Sequence, residues 1–245
     1  MTGAVEFGAL MLSYDEPQAN RLHARLQHVL RVPVQRLHRV QGMRRAYRMA
    51  AEVVDAEQFI LADGDFEIAY DFDAGAVAPL ADGVAMRVWR ARNPLNRLEY
   101  GYGGLKLIRR SALREMGEAV DVLAALPGRT EFCAEVAGIT RFDQSPYHAW
   151  KAAFRECTML ARGSEYGMPS AEVEERLRAW TSECDGQFAE YATAGACEGI
   201  DFARESARTP GLVDQINDPG WLMERFDAGR RAIAAAARRA MAAAG

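Results

Sequence analysis

The stretch FILADGDFEI, residues 59–68, decides the fold, because an apolar run ends there in two acids that flank a glycine. A short apolar run bounded by turn residues is typical of a buried strand. Ligands bind at the carboxyl ends of strands in open α/β sheets, so Asp63 and Asp65 mark a candidate site. A divalent cation would relieve the repulsion between these carboxylates, and Gly64 would leave room for its approach. The alternative is a polar turn, since Asp-Gly is a common turn dipeptide.

Around this stretch, short apolar runs alternate with amphipathic helical patterns, which predicts βα units and a mostly parallel central sheet. The expected strands are GALMLSY (8–14), VPVQRLHRV (32–40), EQFILADGD (57–65) and GVAMRVWRARNP (83–94). The first helix should bury Leu22, Leu26 and Val29 or Leu30. The second should begin at Gly42, with its apolar residues at helical spacing: Met43, Ala46, Tyr47, Ala50, Ala51 and Val54.

Beyond residue 145 the pattern is helical. A helix is expected from Pro146, with Trp150, Phe154, Cys157 and Leu160 on one face, and another from Ser170. The final segment, RRAIAAAARRAMAAAG, is also expected to be helical. The segment ARGSEYGMPS (161–170) is the best candidate boundary, so we expect a catalytic domain over 1–163 and a helical extension over 164–245.

Composition excludes several classes of protein. The chain has 245 residues, 49% of them hydrophobic and 26% charged, which is ordinary for a globular protein. A net charge of −4 argues against nucleic-acid binding through bulk electrostatics but leaves a local basic groove open. The four cysteines have no CxxC pairing, so we expect buried free thiols. The absence of a membrane span or signal-peptide pattern predicts a cytoplasmic protein, in the host cytoplasm if a phage encodes it.

The order of motifs resembles a known group of enzymes. The segments MLSYDEPQAN (11–20) and GMRRAYRMAAEVVDAEQFILADGDFEI (42–68) resemble glycosyltransferases of the GT-A fold, whose metal site is an Asp-x-Asp motif. The segments VWRARNPLNRLEYGYGGLKLIRR (88–110) and FDQSPYHAWKAAFREC (142–157) are similar to bacteriophage and bacterial relatives of the base J DNA glucosyltransferase. That group is associated with TET/JBP-like dioxygenases and glycosylates hydroxymethylated bases in DNA.

The resemblance implies a Rossmann-like α/β sheet, a UDP-sugar donor and Mn²⁺ or Mg²⁺. It places Asp63 at the donor ribose or at a metal-bound water, and Asp65 at the metal that bridges the diphosphate. The remaining nucleotide contacts would be Ser13, Tyr14, Asp15, Gly42 and Arg48. The alternative for Arg48, equally favoured, is a solvated surface arginine.

The segment NPLNRLEYGYGGLKL (93–107) interleaves glycines with tyrosines, so a ligand can approach the backbone between aromatic faces. A sugar ring, or a base turned out of a duplex, would suit such a surface. The candidate donor or sugar contacts here are Trp89, Arg92, Tyr102, Gly103, Gly104 and Lys106. The alternatives are a glycine-rich turn between strands and, for Trp89, a place in the core.

Inverting transfer to a hydroxymethyl group needs a base near the acceptor oxygen. The candidate bases are Glu131, Glu135, Asp143 and His148. His148 is also a candidate third metal ligand, with helix capping as its alternative role. A DNA acceptor requires base flipping or single strands. The candidate phosphate contacts are Arg109, Arg110, Arg114, Lys151 and Arg155, each of which reads equally as part of a solvated helix face.

Two other functions stay open at this stage. A sugar nucleotidyltransferase uses a similar sheet, but the segment SYDEPQAN (13–20) lacks the glycine-rich basic loop that usually follows its first strand. A non-catalytic DNA-binding subunit would keep the fold with a degenerate site, which the intact Asp63 and Asp65 disfavour. The sequence therefore favours a metal-dependent glycosyltransferase acting on hydroxymethylcytosine or hydroxymethyluracil in DNA, with a non-DNA acceptor as a further alternative.

Overall fold

The computed structural model describes residues 7–101, 103–163 and 168–230. The strands are β1 (Gly8–Ser13), β2 (Val34–His38), β3 (Gln58–Asp63), β4 (Phe66–Ile68), β5 (Val84–Arg92), β6 (Glu99–Tyr100), β7 (Leu105–Arg109) and β8 (Arg129–Thr140). The α-helices are α1 (Ala19–Leu30), α2 (Met43–Val53), α3 (Arg110–Arg114), α4 (Val122–Ala125), α5 (Pro146–Arg162), α6 (Ser170–Ser182), α7 (Ala189–Ser206) and α8, which covers 219–230. The α/β class is therefore confirmed.

The sheet is mixed, so the expectation of a mostly parallel sheet is wrong. The strand order is β2-β1-β3-β7-β5-β8-β4, with β6 paired to β5. Strand β1 is parallel to β2 and β3, and β5 is parallel to β8, whereas β7 is antiparallel to both of its neighbours. The chain between β3 and β7 contains no α-helix. Parallel strands need a long crossover connection, usually helical, so the short link from β5 to β7 favours their antiparallel pairing.

Helices cover both faces of the sheet, as the apolar spacing predicted. On one face, Leu22 and Leu26 of α1 are fully buried against the sheet. On the other, Ala50 and Ala51 of α2 pack with Met86 of β5. The predicted burial of α1 and α2 is thus confirmed, and the exits of β1 and β3 are held between these layers, where they form a site.

The helices after residue 145 form their own apolar clusters around α5. Helix α5 begins where predicted, with Ser145 Oγ accepting a hydrogen bond from the His148 amide. It packs closely against α7: a Cβ at Gly195 would lie 2.4 Å from the Trp150 carbonyl oxygen, and one at Gly199 would lie 2.4 Å from that of Phe154. The two backbones are therefore in direct contact, and the proposed boundary at residue 163 falls at the end of α5.

The cysteines are only partly as predicted. All four cysteines are free, but only Cys157 is buried and Cys197 is exposed, so the expectation that all are buried is wrong. In the described ranges, the helices lack the combination of length and apolar character that crossing a membrane requires. Residues 164–167 of the expected boundary, and the final segment 231–245 that was expected to be helical, lie outside the described residues.

Candidate functional site

A cavity of about 260 Å³ opens at the carboxyl end of β3, where the sequence places the two aspartates. Its charged lining comes from the β3–β4 turn, β7, a loop before α4, and helices α5 and α6. These residues are Asp63, Asp65, Lys106, Asp121, Arg155, Glu156 and Arg176. Its apolar lining includes Met43, Tyr47, Met86, Val88 and Met159. The structure therefore brings residues from both halves of the chain to Asp63 and Asp65.

Lys106 holds Asp63 in place. The Lys106 side chain is 2% exposed, and its Nζ lies 2.9 Å from Asp63 Oδ1. The ammonium also donates to the Gly103 carbonyl and lies 5.3 Å from the centre of the Tyr47 ring. Burial alone would lower the pKa of Lys106, but Asp63 and Tyr47 raise it above its usual value. Lys106 is thus a fixed positive charge on one side of Asp63.

Asp65 has no such cationic partner in hydrogen-bond contact among the described residues. Burial, and then the negative charges of Asp63 and Glu16, raise its pKa from 3.8 to about 7; Lys151 acts weakly in the other direction. A cation close to Asp65 would favour its ionised form. The pair offers carboxylate oxygens beside space for a ligand, the donor set with which Mg²⁺ binds together with phosphates and water. The site therefore fits a hard divalent cation.

Gly64 is required for a reason other than the expected one. We expected it to leave room for the cation, but a Cβ there would lie 2.6 Å from Glu16 Oε2 and 2.9 Å from Ser13 Cα. The β3–β4 turn is thus packed directly onto the loop that follows β1. Glycine permits this contact, which brings Glu16 close enough to act on Asp65.

Asp15 connects the loop after β1 to helix α5. Its Oδ1 lies 3.0 Å from Lys151 Nζ and 3.4 Å from His148 Nε2. Burial alone would raise the pKa of Asp15, but the hydrogen bond with His148 and the charge of Lys151 hold it well below its usual value. The other ring nitrogen of His148 lies 2.7 Å from Ser145 Oγ. His148 is therefore engaged between Asp15 and the start of α5.

The structure does not group His148 with Asp63 and Asp65. In the ranges described, no three side chains of the His, Cys, Asp and Glu types come close enough together to hold a metal ion. A cation at the two aspartates would therefore complete its coordination with water or with the phosphates of a substrate.

The predicted nucleotide contacts lie at the exits of β1 and β2. The Ser13 hydroxyl accepts from Arg36 Nε at 2.7 Å and lies 3.0 Å from His38 Nδ1. Tyr14 donates its amide to Glu16. Gly42 precedes α2 with a φ of +86°, which favours glycine. Arg48 is half exposed and pairs with Glu118, away from the cavity lining.

Gly103 and Gly104, after β6, lie in a bend between two strands, which agrees with the alternative of a glycine-rich turn. Gly103 has a φ of +76°, and Gly104 packs on Phe66 so closely that a Cβ would lie 2.7 Å from that ring. Trp89 is buried in the sheet core, edge to face with Phe72, and Arg92 pairs with Glu99 on the surface. Of the predicted contacts, Gly103 and Lys106 line the cavity, whereas Tyr102 lies outside the described residues.

The candidate bases lie outside the cavity lining. Glu131 pairs with Arg87, Asp143 pairs with Arg141, and Glu135 is exposed on β8. Two of the candidate DNA contacts are committed elsewhere, since Arg109 and Arg110 donate to backbone carbonyls. Arg114 lies at the surface, 3.3 Å from Glu52. No predicted base therefore lines the cavity.

Three charged cavity residues were not expected from the sequence. The Tyr100 hydroxyl donates to Glu156, whose pKa is raised by burial although Tyr100 and Arg176 oppose the shift. The Arg176 guanidinium lies 3.4 Å from the centre of the Tyr100 ring. Asp121 caps α4. Each is separated from the aspartates by many residues, so no local motif could have identified them.

Comparison of the chain with protein-family models, with curated proteins and with solved structures found no match.

Proposed function

We propose that the protein is a metal-dependent glycosyltransferase that moves a sugar from a UDP-sugar to the hydroxyl of a hydroxymethylated pyrimidine in DNA. One observation carries the transferase proposal: Asp63 and Asp65 line a single cavity, and Asp65 lacks a bound positive charge. Two neighbouring carboxylates, of which Asp65 has no cationic partner in contact among the described residues, beside space for a phosphorylated ligand, are the arrangement a sugar-nucleotide enzyme requires.

The charges around the cavity support joint binding of a cation and an anion. The described lining carries four carboxylates, at Asp63, Asp65, Asp121 and Glu156, against three cations, at Lys106, Arg155 and Arg176. With all groups ionised, the lining is net negative and repels a diphosphate. A divalent cation reverses the sign, so the metal should bind first and the nucleotide second.

The bound metal would supply a positive charge that stabilises the departing diphosphate. The chain's own residues then have separate tasks. Asp63 and Asp65 would hold the cation, while Lys106 orients Asp63 through their ion pair. In the transfer, the bond between the anomeric carbon and the phosphate oxygen breaks with its electron pair on the diphosphate, a bond forms to the acceptor oxygen, and the acceptor hydroxyl loses its proton to water.

The acceptor part of the proposal is supported by the similarity of residues 88–110 and 142–157 to the base J-related enzymes. A cytoplasmic place of action and a TET/JBP-like dioxygenase as the source of hydroxymethylated bases follow from the same similarity. A non-DNA acceptor, a sugar nucleotidyltransferase and a non-catalytic DNA-binding subunit are the competing functions.

Incubation with UDP-sugars, Mn²⁺ and hydroxymethylated DNA, followed by mass spectrometry of the nucleosides, tests this proposal. We expect one base to gain a sugar mass, with stoichiometric UDP release that Asp65→Asn abolishes. Asp201→Asn, at an exposed carboxylate of α7, is the matched control and should keep full activity. Transfer to another hydroxyl compound alone would remove DNA from the proposal, and pyrophosphate release would identify a nucleotidyltransferase. No turnover with any donor would refute the transferase itself.

A further inference from the structure

Arg155 is a cation in the cavity without a carboxylate in contact. Its Nη2 donates to Asn217 Oδ1 at 2.8 Å, which is a neutral partner, and its Nε is buried without any hydrogen-bond partner in the described structure. Other basic groups of the sheet region have more partners: the buried Lys106 binds Asp63, and the partly buried Arg109 and Arg110 bind carbonyls. Arg155 therefore has donor capacity that the residues described around it leave unused.

Asn217 orients the Arg155 guanidinium, but no described carboxylate in contact with Arg155 balances its positive charge. Burial lowers its pKa, and the more distant charges of Asp63, Asp65 and Asp121 only partly oppose that shift. A divalent cation bound by Asp63 and Asp65 would cancel their negative charge. These two aspartates would then no longer offset the positive charge of Arg155. The cavity would then contain two positive charges, Arg155 and the metal, which would together attract an anion.

We infer that Arg155 binds the diphosphate group of a nucleoside diphosphate in the cavity that it shares with Asp63 and Asp65. The guanidinium presents a planar fork of donors that matches two phosphoryl oxygens, which an ammonium group cannot do. This inference rests on the proposed function for the identity of the ligand. It assigns to α5 a binding residue that the sequence offered only as a contact to the DNA backbone.

Asn217 positions this arginine from the C-terminal helical part of the chain. Its Nδ2 donates to the Val120 carbonyl at 3.2 Å, which turns its Oδ1 towards Arg155. A neutral amide can orient the guanidinium without competing for its charge. Replacement by a carboxylate would instead give Arg155 an internal counter-ion that competes with the ligand.

The test is calorimetric titration of UDP, inorganic pyrophosphate and uridine into the protein in the presence of Mn²⁺. We expect Arg155→Gln to weaken UDP and pyrophosphate binding by about 10- to 100-fold, the loss of a charge-assisted contact. Arg155→Lys should be intermediate, since it keeps the charge and loses the fork. Binding of uridine, which has no phosphate, should not change. Arg178→Gln, at an exposed arginine of α6, is the matched control.

Asn217→Asp provides a second variant that retains the arginine. It should weaken pyrophosphate binding while leaving the thermal unfolding midpoint unchanged or higher. The inference is wrong if Arg155→Gln and Asn217→Asp both bind pyrophosphate within twofold of wild type. It is also wrong if UDP and uridine lose affinity equally, because the effect is then not on phosphate. Arginine-dependent pyrophosphate binding without sugar transfer would instead refute the proposed function and leave this inference standing.

Discussion

Two aspartates only two positions apart should respond to the same substitution with opposite changes in stability. In the metal-free protein, Asp65→Asn removes a carboxylate that folding places among other acids, whereas Asp63→Asn removes the ionic partner of a buried lysine. We therefore expect Asp65→Asn to stabilise the protein at pH 8 and Asp63→Asn to destabilise it.

The magnitudes follow from the structure. The pKa of Asp65 rises from 3.8 to about 7 on folding, so the folded state holds a proton that the unfolded chain releases. Stability is thus lost as pH rises from about 4 to 7, by about 4 kcal/mol at 1.36 kcal/mol per pKa unit. Asp65→Asn should recover this amount at pH 8 and almost none at pH 4. Asp63→Asn should cost about 3 kcal/mol, the lower end for breaking a buried pair, because the Asp63 side chain is 37% exposed.

The assay is thermal unfolding of wild type and both variants between pH 4 and 8 in the presence of a chelator. For a chain of this size, 4 kcal/mol corresponds to a midpoint shift of roughly 10 °C. Added Mn²⁺ at 100 times its dissociation constant should stabilise wild type by about 2.7 kcal/mol and leave Asp65→Asn unchanged. A gain at pH 8 that persists at pH 4, or destabilisation by both variants, would refute the account of Asp65.

Three further outcomes follow from the site and the helical part. UDP should bind at least tenfold more weakly when Mn²⁺ is removed by a chelator, because the diphosphate then meets the cavity carboxylates without a cation between them; equal affinity in calorimetry would contradict this. Lys151→Met should destabilise by about 1–3 kcal/mol at pH 7 and progressively less below pH 3.8, where Asp15 protonates in the unfolded chain, as measured by urea unfolding. Gly199→Ala should cost about 2 kcal/mol or more because its Cβ has no space, whereas Gly229→Ala, with 3.5 Å to its nearest neighbour, should be neutral or stabilising in the same assay.

Local patterns were enough to locate about half of the elements, namely β1, β2, β3 and β5 and helices α1, α2, α5 and α6. The spacing of Leu22 and Leu26, the glycine before α2 and the Ser145-Pro146 start of α5 each act over a few residues, and each element begins close to the expected position. Strand direction was not predictable in the same way. Whether β7 runs parallel or antiparallel between β3 and β5 depends on pairing over some 45 residues, and no local pattern reports it.

The candidate site was likewise predictable only where the signal in the sequence is local. Asp63 and Asp65 were identifiable because an acidic pair that ends an apolar strand is a local signal with a physical meaning. The contact between Asp63 and Lys106 could not be identified from the sequence, because it requires β7 to lie beside β3. The contributions of Glu156 and Arg176 depend on how α5 and α6 pack on the sheet, which the sequence does not show.

The cavity combines a rigid wall with an adaptable one. Helix α5 cannot slide or turn without a clash, because its carbonyls touch Gly195 and Gly199. The opposite wall includes Met43 and Met86, whose unbranched side chains change rotamer easily. Under the proposed function, selection for new sugar donors should consequently enrich substitutions in α2 and β5, while the charged residues of α5 stay fixed.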